Sequence, residues 1–96
     1  MLQETLKALS DPARRKILEL LKKQGSMTAG DLGKEFSMTG ATMSHHLATL
    51  KKAGLVDCER QGTFMYYSIN TSVMEDMLAW VAQFMGGNND EKTEND

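Results

Sequence analysis

Apolar residues recur along this chain in two rhythms, and the change of rhythm marks its elements. Leu2, Leu6 and Leu9 stand at i, i+4 and i+7, which predicts an amphipathic helix over residues 2–9. So short a helix does not hold in water alone, so it must pack on the body or on a second subunit. Ser10-Asp11-Pro12 is a helix start: Ser10 or Asp11 can cap, Pro12 suits the first turn, and the charge of Asp11 suits the helix dipole. The second helix, 12–24, buries Ile17, Leu18, Leu20 and Leu21 and leaves Arg14, Arg15, Lys16, Lys22 and Lys23 mostly outside, ending at Gly25 in the left-handed position. Lys22 and Lys23 oppose the dipole of the last turn; Arg14 and Arg15 are free to reach a phosphate or a carboxylate.

Thr28 caps a third helix, with Asp31 three residues on, and Leu32 and Phe36 face inward. Ser37-Met38-Thr39 is a turn. Thr39 caps a fourth helix, 40–53, whose inner face is Met43, Leu47 and Leu50 and which Gly54 closes. Two helices joined by so short a turn make a helix-turn-helix. The period then falls to two. Leu55, Asp57 and Glu59 alternate with Val56, Cys58 and Arg60, Gln61-Gly62 is a tight turn, and 63–69 is rich in aromatic and β-branched residues. This predicts a two-stranded hairpin. Thr71 or Ser72 caps a last helix, 73–85, with one stripe of Val73, Met77, Trp80 and Phe84 and a second of Met74, Leu78, Val81 and Met85. Two adjacent stripes are wider than one small body needs. Part of them, with Leu2, Leu6 and Leu9, is expected to be buried in a symmetric dimer through Met74, Met77, Leu78, Trp80, Val81 and Phe84.

The expected fold is thus mainly α with a small β-hairpin, in the order α-α-α-α-β-β-α: a winged helix-turn-helix, homodimeric through its first and last helices. Residues 1–86 are expected to form the winged helix-turn-helix and dimerisation domain and 87–96 a disordered acidic tail without an apolar residue. Ninety-six residues suit one domain, and so small a core gains from dimerisation. With no apolar run long enough to span a bilayer and no leader pattern, membrane insertion is not expected and the chain reads as cytoplasmic. The net charge of −2 hides an asymmetry. Residues 1–71 hold ten Lys/Arg against seven Asp/Glu, whereas 72–96 hold one against six. A mildly basic body with an acidic tail is compatible with nucleic acid, because the local field at the contact face matters more than the total.

The outer face of the fourth helix carries the chemistry. Thr39, Gly40, Ala41, Thr42, Ser44, His45 and Thr49 are small and polar where a solvated helix would carry Glu and Lys. Such a face can lie close against a DNA major groove, where hydroxyls reach base edges or phosphates and Thr methyls meet thymine methyls. His45 points outward with Thr42. His46 falls on the inner side and reads as a packed, hydrogen-bonded residue. At the hairpin tip Arg60, Gln61, Gly62 and Thr63 are polar with one cation, and Arg60 suits a phosphate or the minor groove.

At these residues the chain resembles a known family. ALSDPARRKILELL (8–21), SHHLATLKKAGLV (44–56) and RQGTFMYYSI (60–69) look like the ArsR-type bacterial repressors over residues 2–85, and SDPARRKIL, MTAGDL and SHHL further resemble the SdpR-like autorepressor branch. The resemblance implies a homodimer on an inverted-repeat operator of double-stranded DNA, often controlling its own operon. It carries the DNA-reading positions onto Thr39, Gly40, Ala41, Thr42, Ser44 and His45, and the wing positions onto Arg60, Gln61, Gly62 and Thr63.

Many members of that family sense metals, so the ligand positions matter. The Cys-x-Cys pattern expected at the start of the third helix is MTAGDL here, and the last helix holds Glu75 and Asp76 but no histidine. No metal and no cofactor is therefore expected. A redox role for Cys58, the single cysteine, is opposed by the charges of Asp57 and Glu59 and by its inward strand parity. Nothing resembles a nucleophile elbow, a phosphate-binding glycine loop or an acid/base pair, so the chain does not read as an enzyme. The alternatives are a metal- or redox-responsive repressor of the same family and a winged-helix protein-interaction module; a protein partner that sequesters the repressor is left open.

Overall fold

The computed structural model describes residues 2–86. The order is α1 (Leu2–Leu9), α2 (Pro12–Gln24), β1 (Ser26–Thr28), α3 (Ala29–Phe36), α4 (Gly40–Lys52), β2 (Val56–Gln61), β3 (Phe64–Ile69) and α5 (Ser72–Ala82). The acidic tail expected over 87–96 lies outside the described residues.

Helix starts follow local chemistry. The Asp11 carboxylate accepts from Ala13 N at 2.8 Å, with Pro12 in the first turn. The Thr28 hydroxyl accepts from Asp31 N at 3.1 Å and Thr39 from Thr42 N at 3.2 Å. Each satisfies an amide that has no partner inside its helix. The last helix departs from expectation. Neither Thr71 nor Ser72 caps it with a side chain; Asn70 Oδ1 accepts from Ser72 N at 2.8 Å instead. The Asn70 side-chain Nδ2 also donates to both Asp57 carboxylate oxygens at 3.1 Å, and the Asn70 backbone N–H donates to Leu55 O at 3.0 Å, tying the base of the hairpin to α5. The helix stops at Ala82 rather than 85. Gly25 has φ 94° and ψ −81°, a positive φ but not the left-handed helical geometry expected, and donates to Leu21 O at 2.8 Å.

The sheet has three strands, not two. β1 pairs antiparallel with β3, Met27 opposite Tyr67, and β3 pairs with β2, so the order is β1-β3-β2. Three residues are too few to show a period of two, and the partner that makes them a strand lies some forty residues away. The strand locks the start of α3 to the hairpin, so the sheet and the helix-turn-helix share one frame.

The core gathers Ile17, Leu18 and Leu21 from α2, Leu32 from α3, Met43, Leu47 and Leu50 from α4, and Leu55 and Val56 at the start of β2. Leu55 is buried despite its sequence parity with Asp57 because it precedes the strand. The first helix buries Thr5 and Ala8, rather than its leucine stripe, against this core. Thr5 Oγ1 donates to Ala53 O at 3.1 Å. Leu9 still packs on the core, but Leu6 is 48% exposed. Among the described residues no helix is long and apolar enough to cross a membrane.

Candidate nucleic-acid interface

Two constraints fix the turn before α4. Ser37 is left-handed (φ 53°) and its N–H returns to Lys34 O, while Met38 N–H returns to Gly33 O at 3.1 Å. A side chain at Gly33 would place its Cβ 3.3 Å from Met38 O, so glycine lets the turn close against α3.

Thr39 then does more than cap. Its hydroxyl oxygen accepts from Thr42 N while its proton goes to Thr42 Oγ1 at 3.0 Å. Thr42 keeps its own hydroxyl proton for an outward donor. Gly40, Ala41, Thr42, Ser44 and His45 are all exposed, and Met43, Leu47 and Leu50 beneath them are fully buried. The first two turns of α4 are thus a polar, sterically slim ridge on a rigid apolar base.

The two histidines differ as their positions predict. His45 is exposed; His46 is half-buried, its Nδ1 3.4 Å from Arg14 Nη1. Arg14 and Arg15 have a task the sequence did not reveal. Arg14 Nε donates to Ala8 O at 2.8 Å and Nη2 to Lys7 O at 3.5 Å, and Arg15 Nη1 donates to Leu9 O at 2.6 Å. Both guanidinium groups cap the C-terminal carbonyls of α1. Arg14 also lies 3.6 Å from Asp11 Oδ2. The Asp11 carboxyl is held below its ordinary value, first by the Ala13 N–H bond and then, against partial burial, by the charge of Arg14.

The wing is the β2–β3 hairpin. Its turn is Gly62-Thr63, one residue later than expected, closed by the Gln61–Phe64 pair, with Gly62 at φ 66°. Arg60, Gln61, Gly62 and Thr63 are exposed, and so are Phe64 (59%) and Met65 (37%), which sequence reasoning took as ordinary strand residues. Cys58 is half-buried opposite Tyr67 in the register; burial raises the Tyr67 phenol above its ordinary value and the Cys58 thiol adds to this. Among the described residues no three His, Cys, Asp or Glu side chains gather as a metal site would need.

A second surface lies on α5. Val73 and Met74 pack on the chain's own core and Met77 is half-buried, but Leu78 (68%), Trp80, Val81 and Phe84 (72%) are exposed. Trp80 and Phe84 meet edge to face with ring centres 5.1 Å apart. Leu2 of α1 and Val73 and Trp80 of α5 flank a mainly apolar cavity of about 250 Å³. So wide an apolar patch on so small a chain marks an interaction surface.

A helix-turn-helix domain family model matches residues 9–59. The transcriptional repressor SdpR of Bacillus subtilis (strain 168) is 47% identical over 90 residues, covering 93% of this chain and 99% of that protein. The crystal structure of an ArsR family transcriptional regulator superposes with a TM-score of 0.77 at 29% identity, over 85% of this chain and 84% of that one. The chain belongs to the ArsR-type winged helix-turn-helix repressors. A homodimeric winged helix-turn-helix DNA-binding domain from Mycobacterium bovis, solved by NMR, matches at 30% identity with a TM-score of 0.71, over 95% of this chain and 86% of that one. In ArsR-type terms, α3 and α4 are the helix-turn-helix, β2 and β3 the wing.

Proposed function

We propose that the chain is a homodimeric, sequence-specific repressor that binds an inverted-repeat operator, controls its own operon and needs no metal inducer. The observation that carries this is the ridge of α4: exposed small polar residues held on fully buried Met43, Leu47 and Leu50. In this reading the N-terminal half of α4 enters the major groove. Thr42 and Ser44 donate to base edges or phosphates, Gly40 and Ala41 allow close approach, and His45 contacts the flanking strand. Arg60, Gln61, Gly62 and Thr63 of the wing meet the adjacent backbone, Arg60 as the charge that follows a phosphate or a narrow minor groove. Leu2, Leu6 and Leu9 of α1 and Met74, Met77, Leu78, Trp80 and Val81 of α5, with Phe84 in the turn just beyond it, form the two-fold interface, with Leu9 and Met74 serving the core as well. To read successive half-sites on one face of the duplex, the two reading helices of the dimer must stand about 34 Å apart, one helical turn of DNA.

The absence of thiols in residues 27–32 and of histidine in α5 supports regulation without a metal. The site of action is the cytoplasm, where the operator lies.

The test is the double variant Thr42→Ala, His45→Ala. Its preference for operator over scrambled duplex should collapse by about 1–3 kcal/mol per lost base contact while dimer and circular dichroism stay unchanged. Preserved discrimination would remove α4 from the reading role.

A further inference from the structure

Beside the reading ridge lies a cleft between α1 and α4 that nothing so far accounts for. It has a volume of about 370 Å³ and is lined by Lys7 of α1, Arg14 of α2, and His45, Thr49 and Lys52 of α4, with Glu4 as its one acid. We propose that this cleft seats one DNA backbone phosphate in each protomer, held by Lys7 and Lys52 above the fixed charge of Arg14. The proposal rests on the reading of α4 as the DNA-reading helix.

Three observations support it. First, the cleft is built to accept an anion. The carbonyls at the end of α1 would repel one, but those of Lys7, Ala8 and Leu9 are covered by the guanidinium groups of Arg14 and Arg15. Arg14, with its side chain 13% exposed and 3.6 Å from Asp11 Oδ2, is a fixed cationic part of the floor rather than a mobile arm. Second, the ammonium groups are available. Lys7 and Lys52 are exposed, and among the described residues the only ion pair is Arg14 with Asp11, so neither lysine is held by a carboxylate. Third, the cleft is continuous with the ridge. His45 belongs to both, so a strand crossing α4 at His45 passes the mouth of the cleft. That continuity selects a backbone phosphate over a free anion.

A phosphate held here gives affinity without sequence information, because all backbones look alike. It therefore has a signature distinct from that of Thr42 or His45. The experiment is a fluorescence-anisotropy titration of the full chain with the duplex upstream of its own gene and with a scrambled duplex, from 50 to 200 mM salt. Wild type is compared with Lys7→Gln, Lys52→Gln and with Lys7→Arg, Lys52→Arg. One phosphate per protomer, two per dimer, makes the slope of log K against log salt shallower by about 1.8 in the glutamine variant. Over that fourfold salt range wild type then loses about twelvefold more affinity than the variant. Both duplexes should weaken alike, and the arginine variant should keep the wild-type slope.

An unchanged slope in a glutamine variant that remains dimeric overturns the proposal and leaves the reading of α4 intact. A wild type that binds neither duplex overturns both. Inorganic phosphate titrated without DNA separates the remaining source: saturable shifts of the His45 ring signals, with an unchanged DNA slope, would overturn the proposal in favour of a free anion.

Discussion

Gly54 is the hinge between the reading helix and everything that follows it, and Gly54→Ala tests how tightly α5 is positioned. Gly54 has φ 79°, and a Cβ built there lies 2.7 Å from Val73 Cγ2 and 3.7 Å from Val73 Cβ. Two costs follow. The left-handed backbone costs a residue with a Cβ about 1–2 kcal/mol. The overlap with a half-buried valine in the first turn of α5 adds about 1–3 kcal/mol of packing strain. The single variant should therefore lose about 2–5 kcal/mol. Val73→Ala by itself removes two methyls from a half-buried site and should cost about 1 kcal/mol. In the double variant the nearest remaining atom is the Cβ at 3.7 Å, an ordinary contact, so only the backbone cost of Gly54→Ala survives. The cycle should show a favourable coupling of about 1–3 kcal/mol, the packing strain relieved. Urea unfolding at one fixed protomer concentration measures it, because dimerisation makes stability depend on concentration. Additivity within about 0.5 kcal/mol would refute the reasoning and mean that α5 is not seated against Gly54.

Other outcomes follow from single contacts. Thr39→Ala removes the cap of α4 and the bond that orients Thr42; it should cost about 1 kcal/mol and reduce operator discrimination, whereas Thr39→Ser should keep both, read by thermal melts and anisotropy. Arg14→Ala uncovers the end of α1 and should destabilise by about 1.5–3 kcal/mol, and Arg14→Lys should not restore it because an ammonium lacks the guanidinium fork; a melt within error of wild type would contradict this. Asp11 has a depressed carboxyl, so its contribution is present above the unfolded-state carboxylate value and is lost as pH falls through the lower folded value. Asp11→Asn keeps a capping oxygen without titrating, so its melting temperature should fall less steeply than wild type's below about pH 4. Leu78→Asp, at a position 68% exposed in the single chain, should leave the protomer folded and abolish the dimer in sedimentation velocity; a surviving dimer would remove α5 from the interface.

What could be read from the residues was what is local. Asp11, Thr28 and Thr39 each announce a helix start because a cap is satisfied within three residues of its own chain. The inner face of α4 was legible because Met43, Leu47 and Leu50 repeat with the helix period. The outer ridge was legible for the complementary reason, its lack of the charges that a solvated helix carries. What escaped depended on distant partners. Ser26, Met27 and Thr28 become a strand only because Tyr66, Tyr67 and Ser68 lie beside them. In α1 the leucine stripe dominates the pattern, yet Thr5 turns inward, where its hydroxyl donates to the Ala53 carbonyl. Arg14 and Arg15 look like surface charge until the end of α1 folds back within their reach. Phe64 was legible as a strand residue but not as an exposed one, since an aromatic at a wing tip has no neighbouring layer to cover it. The basic cleft combines α1, α2 and α4 and has no image in any one segment.

The claim that α4 and the wing of a dimer read a specific DNA sequence is tested most directly by titrating the purified chain against the duplex upstream of its own gene, with scrambled competitor and chelator present and the stoichiometry measured. The account predicts two protomers per duplex and salt-sensitive binding at least a thousandfold tighter than to the scramble, undiminished by the chelator. Equal affinity for both duplexes, or binding that disappears with the chelator, would contradict it.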